Sequence, residues 1–337
     1  MIRTIAWPMI ATLTVLAASG QELITGPASD PPEELLVLAR ESKAIYDSIT
    51  SFRAHVTKVT RTGGASAQSP TQPVNERIDR VEAEMGFKDG WYRLIRNWTT
   101  ETKNPDTTSF QKITVLLTDS FFFQSLEGNE QHPVKTSRQY FELASKDALA
   151  PNQDMYIKQM WKPDPRIFGY TIGDGTLLID YIEKMSDYPG AVWSLRKSEG
   201  VYYATIHFDG DVQNGRHRSS FEIDAERDFF IQKAESTNRE GVVGSSRTIE
   251  PQQVDGLWFV SLVQSKLVDL ESEVTYTNVE INPEFDVDYF TLRSFAFKES
   301  DTMNSYSQDR SRKTEMVYWG GKWISIDQLR ENSIPKK

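Results

Sequence analysis

The chain has 337 residues, no cysteine, a formal charge of −10 at pH 7 and 11% aromatic residues. A chain of this length buries a sizeable core without disulfides. The negative balance speaks against a nucleic-acid-binding face or a polybasic membrane anchor, both of which need clustered Lys and Arg.

The first residues, MIRTIAWPMIATLTVLAASGQ, have the layout of a signal peptide: Arg3, an apolar stretch from Ile5 to Leu16, then Ala17-Ala18-Ser19-Gly20. Cleavage before Gln21 would put Ala18 and Gly20 at the small-residue positions. A membrane anchor is the alternative, and the apolar stretch is short for a span of about 20 residues. Lipid attachment of the bacterial lipoprotein kind needs a cysteine just after the signal, and the chain has none. Residues 1–20 are therefore expected to be removed, leaving an exported protein of the periplasm or cell envelope. No later apolar run is long enough for a transmembrane helix.

Residues 30–52, DPPEELLVLARESKAIYDSITSF, carry helix signals. Asp30 and Glu33 stand at capping-box spacing and Pro31 suits a first turn. Leu35, Leu38, Ala39, Ser42, Ile45, Tyr46, Ile49 and Phe52 then share one helical face.

The period changes to two after this helix. RAHVTKVTR reads as a strand, and GGASAQSPTQP at 63–73 as a mobile insertion. Val81, Ala83, Met85 and Phe87 alternate up to a turn at Lys88-Asp89-Gly90, and WYRLIRNW returns with Tyr92, Leu94 and Trp98 on one side. KITVLLTDSFFFQSLEG predicts a hairpin turning at Thr118-Asp119-Ser120, with Phe121 and Phe123 on one side. VYYATIHFDGD places Tyr202, Ala204, Ile206 and Phe208 on one face. RSSFEIDAERDFFIQKAES turns near Ala225-Glu226-Arg227, and GLWFVSLVQSKLV and EVTYTNVEI follow as strands. Short turns between successive strands predict an antiparallel meander.

Helices are predicted for NQDMYIKQMW and DGTLLIDYIEKM, bounded by Pro163, Pro165 and Tyr188-Pro189-Gly190. The stretch KESDTMNSYSQDRSRK is polar and predicted irregular, and YWGGKWISI predicts a hairpin at Gly320-Gly321. A sheet of this many strands must curl. The pattern predicts an α+β fold: an incomplete, half-open antiparallel β-barrel with an N-terminal amphipathic helix and short helices packed against the concave face.

Catalytic signatures are missing. His55, His132, His207 and His217 form no metal-ligand spacing, though His207 and His217 flank one expected turn. There is no nucleophile elbow, phosphate loop or dinucleotide glycine pattern. Asp209 and Asp211 lack the later acidic ligand of a calcium loop, and the carboxylates of EFDVDY alternate as an edge segment does. No enzyme activity, metal or cofactor is expected.

Aromatic residues concentrate on the strands. Two readings remain open, because a packed core and a lipid groove use the same side chains. The candidates for lining an apolar cavity are Tyr92, Leu94, Trp98, Phe121, Phe123, Tyr202, Ile206 and Phe208.

Three motifs carry a resemblance. They are the helix ending in Ser51-Phe52 before RAHVTKV, the step Asp255-Gly256-Leu257-Trp258-Phe259, and the strand Tyr276-Thr277-Asn278-Val279-Glu280-Ile281-Asn282-Pro283 followed by Phe285 and Phe290. In these the chain resembles the outer-membrane lipoprotein carriers of the LolA, LolB and LppX kind over residues 33–292. The resemblance implies an unclosed barrel whose helices act as a lid and whose interior takes acyl chains or lipoproteins. It also implies a domain at 21–292, ahead of a polar tail with a short hairpin at 293–337. Pro283 ends the last strand, and Phe285, Val287 and Phe290 are expected to pack along the rim. The expected partner is an acyl lipid or lipoprotein. A non-catalytic interaction module with a filled interior is the alternative, and an envelope hydrolase comes third. The sequence does not specify the oligomeric state.

Overall fold

The computed structural model describes residues 22–63, 76–103, 106–118, 122–128, 139–143, 166–172, 176–188, 190–212, 216–295, 297, 299, 301–306 and 313–333. The expected signal peptide, the insertion from residue 64 on, the helix at 152–161 and Phe121 lie outside them.

The chain is mostly antiparallel sheet with few helices. In chain order it begins with β1 (Glu22–Ala28), α1 (Glu33–Ser48), β2 (Ser51–Thr62), β3 (Arg77–Lys88), β4 (Trp91–Lys103) and β5 (Asp106–Leu117). It continues with β6 (Phe122–Gly128), β7 (Gln139–Leu143), α2 (Arg166–Tyr170), β8 (Thr171–Ile172), β9 (Thr176–Leu177) and α3 (Leu178–Ser186). Then come β10 (Ala191–Ser198), β11 (Val201–Val212), β12 (Arg216–Asp224), β13 (Phe230–Thr237), β14 (Val243–Val254), β15 (Leu257–Leu267) and β16 (Leu270–Ile281). The last elements are β17 (Thr302–Tyr306), β18 (Lys313–Trp319), β19 (Lys322–Ser325) and α4 (Ile326–Ser333). No helix among the described residues is long and apolar enough to cross a membrane.

These elements form two compact units. One contains β1, α1 and everything from α2 to β15. The other contains β2 to β7 and everything from β16 onward.

In the first unit, β10 to β15 form the expected meander, each strand antiparallel to the next, and β1 pairs with β10. Helix α1 starts at Glu33, two residues later than the capping signals suggest, and the Pro32 carbonyl accepts from the Leu36 amide at 3.2 Å. Glu33 and Glu34 then sit in its first turn, where the helix dipole favours them. The helix ends at Ser48, so Ile49 and Phe52 do not extend its apolar face. Leu35, Leu38 and Ala39 of α1 and Leu178, Tyr181, Ile182 and Met185 of α3 close over one face of β10 to β13. This cluster is the core of the unit.

In the second unit the strand neighbours run β16, β2, β3, β4, β5, β6, β7, β17, β18, β19. Every pair is antiparallel except β7 with β17, which is parallel. The polar stretch expected to be irregular therefore holds a strand, β17, which adds to the sheet through its backbone whatever its side chains are. Asp89-Gly90 joins β3 to β4 and Gly320-Gly321 joins β18 to β19, all four residues with positive φ, as two-residue hairpin turns require.

Candidate functional site

The registers of β16, β2, β3, β4 and β5 sort their side chains into two faces. One face carries Phe52, Ala54 and Val56, then Phe87, Met85, Ala83 and Val81 beside them, then Tyr92, Leu94 and Trp98, then Val115 and Ile113. The sequence-predicted trio Tyr92, Leu94 and Trp98 is thus brought together on a face that is apolar at one end. Leu94 is buried, while Tyr92 and Trp98 are half-buried.

The same face changes character along the strands. Lys58 pairs with Val81 across β2 and β3, and Ala83 pairs with Arg96 across β3 and β4. The next row brings Thr60, Asp79, Thr100 and Ser109. Arg96 is buried, at 7% exposure, and its guanidinium lies 4.6 Å from the Trp98 ring centre. The Trp98 indole N–H donates to Asp79 Oδ1 at 3.0 Å. Asp79 also accepts from the Thr100 hydroxyl and from Arg77, whose Nε lies 2.9 Å from Oδ2. Partial desolvation lowers the Lys58 pKa, the Arg96 charge adds to this, and Asp79 opposes it.

Phe123 lies elsewhere. It pairs with Leu116, and Leu116 pairs with Arg93, so these residues occupy the opposite face of the sheet. That face is covered by the chain after β16. Phe123, Leu116, Phe290 and Met303 form a buried cluster, with Phe285, Tyr289, Leu292, Phe295, Phe297, Met316 and Trp323 packed against it. Phe285 and Phe290 both pack in this cluster. Val287 does not: it is 92% exposed, because the turn at 287–290 points it away from the cluster.

Tyr202, Ile206 and Phe208 belong to the first unit. All three are buried among Trp193, Leu195, Phe221 and Ile223 and the apolar faces of α1 and α3. The Tyr202 hydroxyl donates to Glu34 Oε1 at 3.0 Å and the Tyr181 hydroxyl to Ser219 Oγ at 3.2 Å, so both tyrosine tips within this core are satisfied. Nearby, the Tyr170 hydroxyl donates to the Trp258 carbonyl at 2.8 Å and Arg247 donates to the Thr171 carbonyl, tying α2 and β8 to the sheet.

His207 and His217 do meet, their rings 6.2 Å apart across β11 and β12. Desolvation lowers the His207 pKa, and the Arg218 and His217 charges push the same way. Among the described residues no group of three or more His, Asp or Glu is placed to hold a metal ion.

Lys58 and Arg96 were not among the sequence candidates. The signal was present: Lys58 shares the parity of Ala54 and Val56, and Arg96 stands between Leu94 and Trp98 on the same side of its strand. Arg96 is buried at its position, whereas Lys58 is exposed.

No family model matches the chain, and no curated protein does. Among solved structures the chain is similar to a DUF1329 family protein from Desulfovibrio piger, with a TM-score of 0.37 and 11% identity over 79% of this chain and 100% of that one. It is similar to a domain from Vibrio parahaemolyticus assigned as an outer membrane lipoprotein-sorting protein, with a TM-score of 0.34 and 13% identity over 78% of this chain and 98% of that one. A LolA superfamily protein from Nitrosomonas europaea aligns with a TM-score of 0.30 and 11% identity over 77% and 98% of the two chains. Two of these three bear the family description that the motifs at Ser51-Phe52, Asp255–Phe259 and Tyr276–Pro283 resemble.

Proposed function

We propose that the chain is an exported, non-catalytic, carrier-like protein of the periplasm or cell envelope. In this reading it holds the acyl chain of a lipid or lipoprotein along an incompletely closed antiparallel barrel, with short helices against the concave face. The observation that carries the reading is the graded face of β2 to β5. The buried apolar row of Ala54, Met85, Leu94 and Val115 is followed along the strands by Val56, Ala83, Arg96 and Ile113, and then by Lys58, Val81 and half-buried Trp98. Such a sequence of chemistry suits an amphiphile whose chain and head need different surroundings. The three motifs that resemble the lipoprotein carriers support it.

Native mass spectrometry of the protein purified from its own envelope, with solvent extraction alongside, tests the reading. A co-purifying acyl lipid or lipoprotein is the expected result. An apo mass together with no uptake of a fluorescent acyl probe would remove it.

A second reading is an interaction module whose interior is filled. The observation that favours it is the burial of Tyr202, Ile206 and Phe208 in one cluster with α1 and α3. Under it, the same experiment returns protein partners and no lipid.

A further inference from the structure

We propose that His207 and His217 form a binding site for a divalent transition-metal ion of the copper, nickel or zinc class. The two imidazoles are its protein ligands, and its other coordination positions are left to water or a second ligand. The site is independent of the acyl-carrier reading.

Strand geometry is the first argument. His207 on β11 stands directly opposite Arg218 on β12. Continued alternation would set His217 opposite Phe208, which is buried on the other face of the sheet. The ladder shifts between His207 and Val212 instead, and the two rings meet with their centres 6.2 Å apart and their planes at 74°. An irregularity of this kind re-aims side chains at the end of a regular ladder. Two imidazoles on one tetrahedral ion have ring centres about 5 Å apart, so closing by about 1 Å through side-chain rotation lets both ligate.

The surroundings are the second. His207 is exposed and His217 half-buried, so the pair is open to solvent on the His207 side. The row through His207 runs Val192, His207, Arg218 and Thr237, and the next runs Ser194, Thr205, Ser220 and Glu235. Glu235 stands two strands from β11, and its carboxylate lies 3.7 Å from Lys233 Nζ. The row of His207 therefore offers imidazole nitrogen and no carboxylate. Calcium and magnesium need oxygen ligands, whereas imidazole suits copper, nickel and zinc, and affinity along that series peaks at copper. Arg218 sets a positive charge beside the pair, but it is exposed, and salt and solvent screen it.

Titration of the purified protein with copper(II), followed by calorimetry and electron paramagnetic resonance, tests this. A bound ion with the nitrogen hyperfine pattern of two imidazoles is the expected result. Loss of even an outer-shell partner costs a metal site about tenfold in affinity, so His207→Gln and His217→Gln should each weaken binding by at least about tenfold. His55→Gln, which changes a histidine of β2, should leave it unchanged. Circular dichroism confirms the fold of each variant, and the exposed His207 decides the matter if His217→Gln fails to fold. Absence of binding would overturn the inference. So would copper held at full affinity by the His207→Gln protein, which would place the ion on surface carboxylates or the chain terminus.

Discussion

The Arg93 guanidinium lies 4.6 Å from the centre of the Tyr289 ring. It also donates to Glu84 at 2.8 Å and to the Ser294 hydroxyl at 3.3 Å, and it stands 5.3 Å from the Phe295 ring centre. One buried cation from β4 therefore holds two aromatic residues of the segment that follows β16. Burial raises the Tyr289 pKa and the Arg93 charge opposes it, which keeps the phenol neutral against the sheet.

Gly86 makes room for that ring. A Cβ there would stand 2.5 Å from Tyr289 Cε1. Gly86→Ala is expected to cost about 1–3 kcal/mol by overpacking, read from urea unfolding. Tyr289→Ala should recover part of the loss, giving a coupling term in the double-mutant cycle. Strict additivity of the two changes would mean that the ring does not rest on Gly86 in solution.

Asn282 explains why the last strand stops at an Asn-Pro step. Its side-chain oxygen accepts from the Thr50 amide at 3.0 Å and the Ser51 amide at 3.1 Å, and its φ is 50°. Asn282→Gly keeps the backbone conformation and loses the acceptor; Asn282→Ala loses both. The expected order of stability is Asn, then Gly, then Ala, with the first step about 1–2 kcal/mol. Equal stability of the Asn and Gly forms would show that the acceptor contributes nothing.

Ile206 sits at the centre of the first unit's core. Ile206→Glu would bury an unpaired carboxylate and remove a side chain whose burial is worth about 1.5–3 kcal/mol. Loss of the folded unit is expected, seen as collapse of the near-ultraviolet circular dichroism. Normal spectra and a normal melting point would place this face in solvent.

Tyr170 predicts a pH dependence. Burial holds its phenol neutral above the ordinary value of about 10, so the folded chain keeps a proton that the unfolded chain releases. This contribution is complete below about pH 10 and is lost as pH rises from there through the raised value. Tyr170→Phe should cost about 1 kcal/mol at pH 7, for the hydrogen bond to the Trp258 carbonyl, and should flatten the alkaline fall in melting temperature. Parallel alkaline limbs for the two proteins would exclude Tyr170 as their source.

Strand periodicity made most of the sheet legible. The turns at Asp89-Gly90, near Ala225–Arg227 and at Gly320-Gly321 fall where the residues place them, because positive φ and short caps leave a compositional mark. The parity of Tyr92, Leu94 and Trp98 was equally readable. Alternation within one strand does not say which face of a neighbouring strand joins it, so Phe123 could not be separated from that trio in advance. The division into two units leaves no local signal, since α1 joins strands that follow it by more than 100 residues. Arg96 was passed over because charge on a strand ordinarily means solvent, and its parity is the only mark against that reading; Lys58 is exposed, as charge on a strand ordinarily is.

The bond between Asn282 and Ser51 spans 231 residues of chain. A growing polypeptide cannot form the seam between β2 and β16 until nearly all of it has emerged. Until then the free edge of β2 has no partner on that side, and non-local pairing of this kind slows folding and favours association between unfinished chains. Such a protein should depend on a holdase during synthesis, and circular permutation at 268–269 should change its folding rate more than its stability.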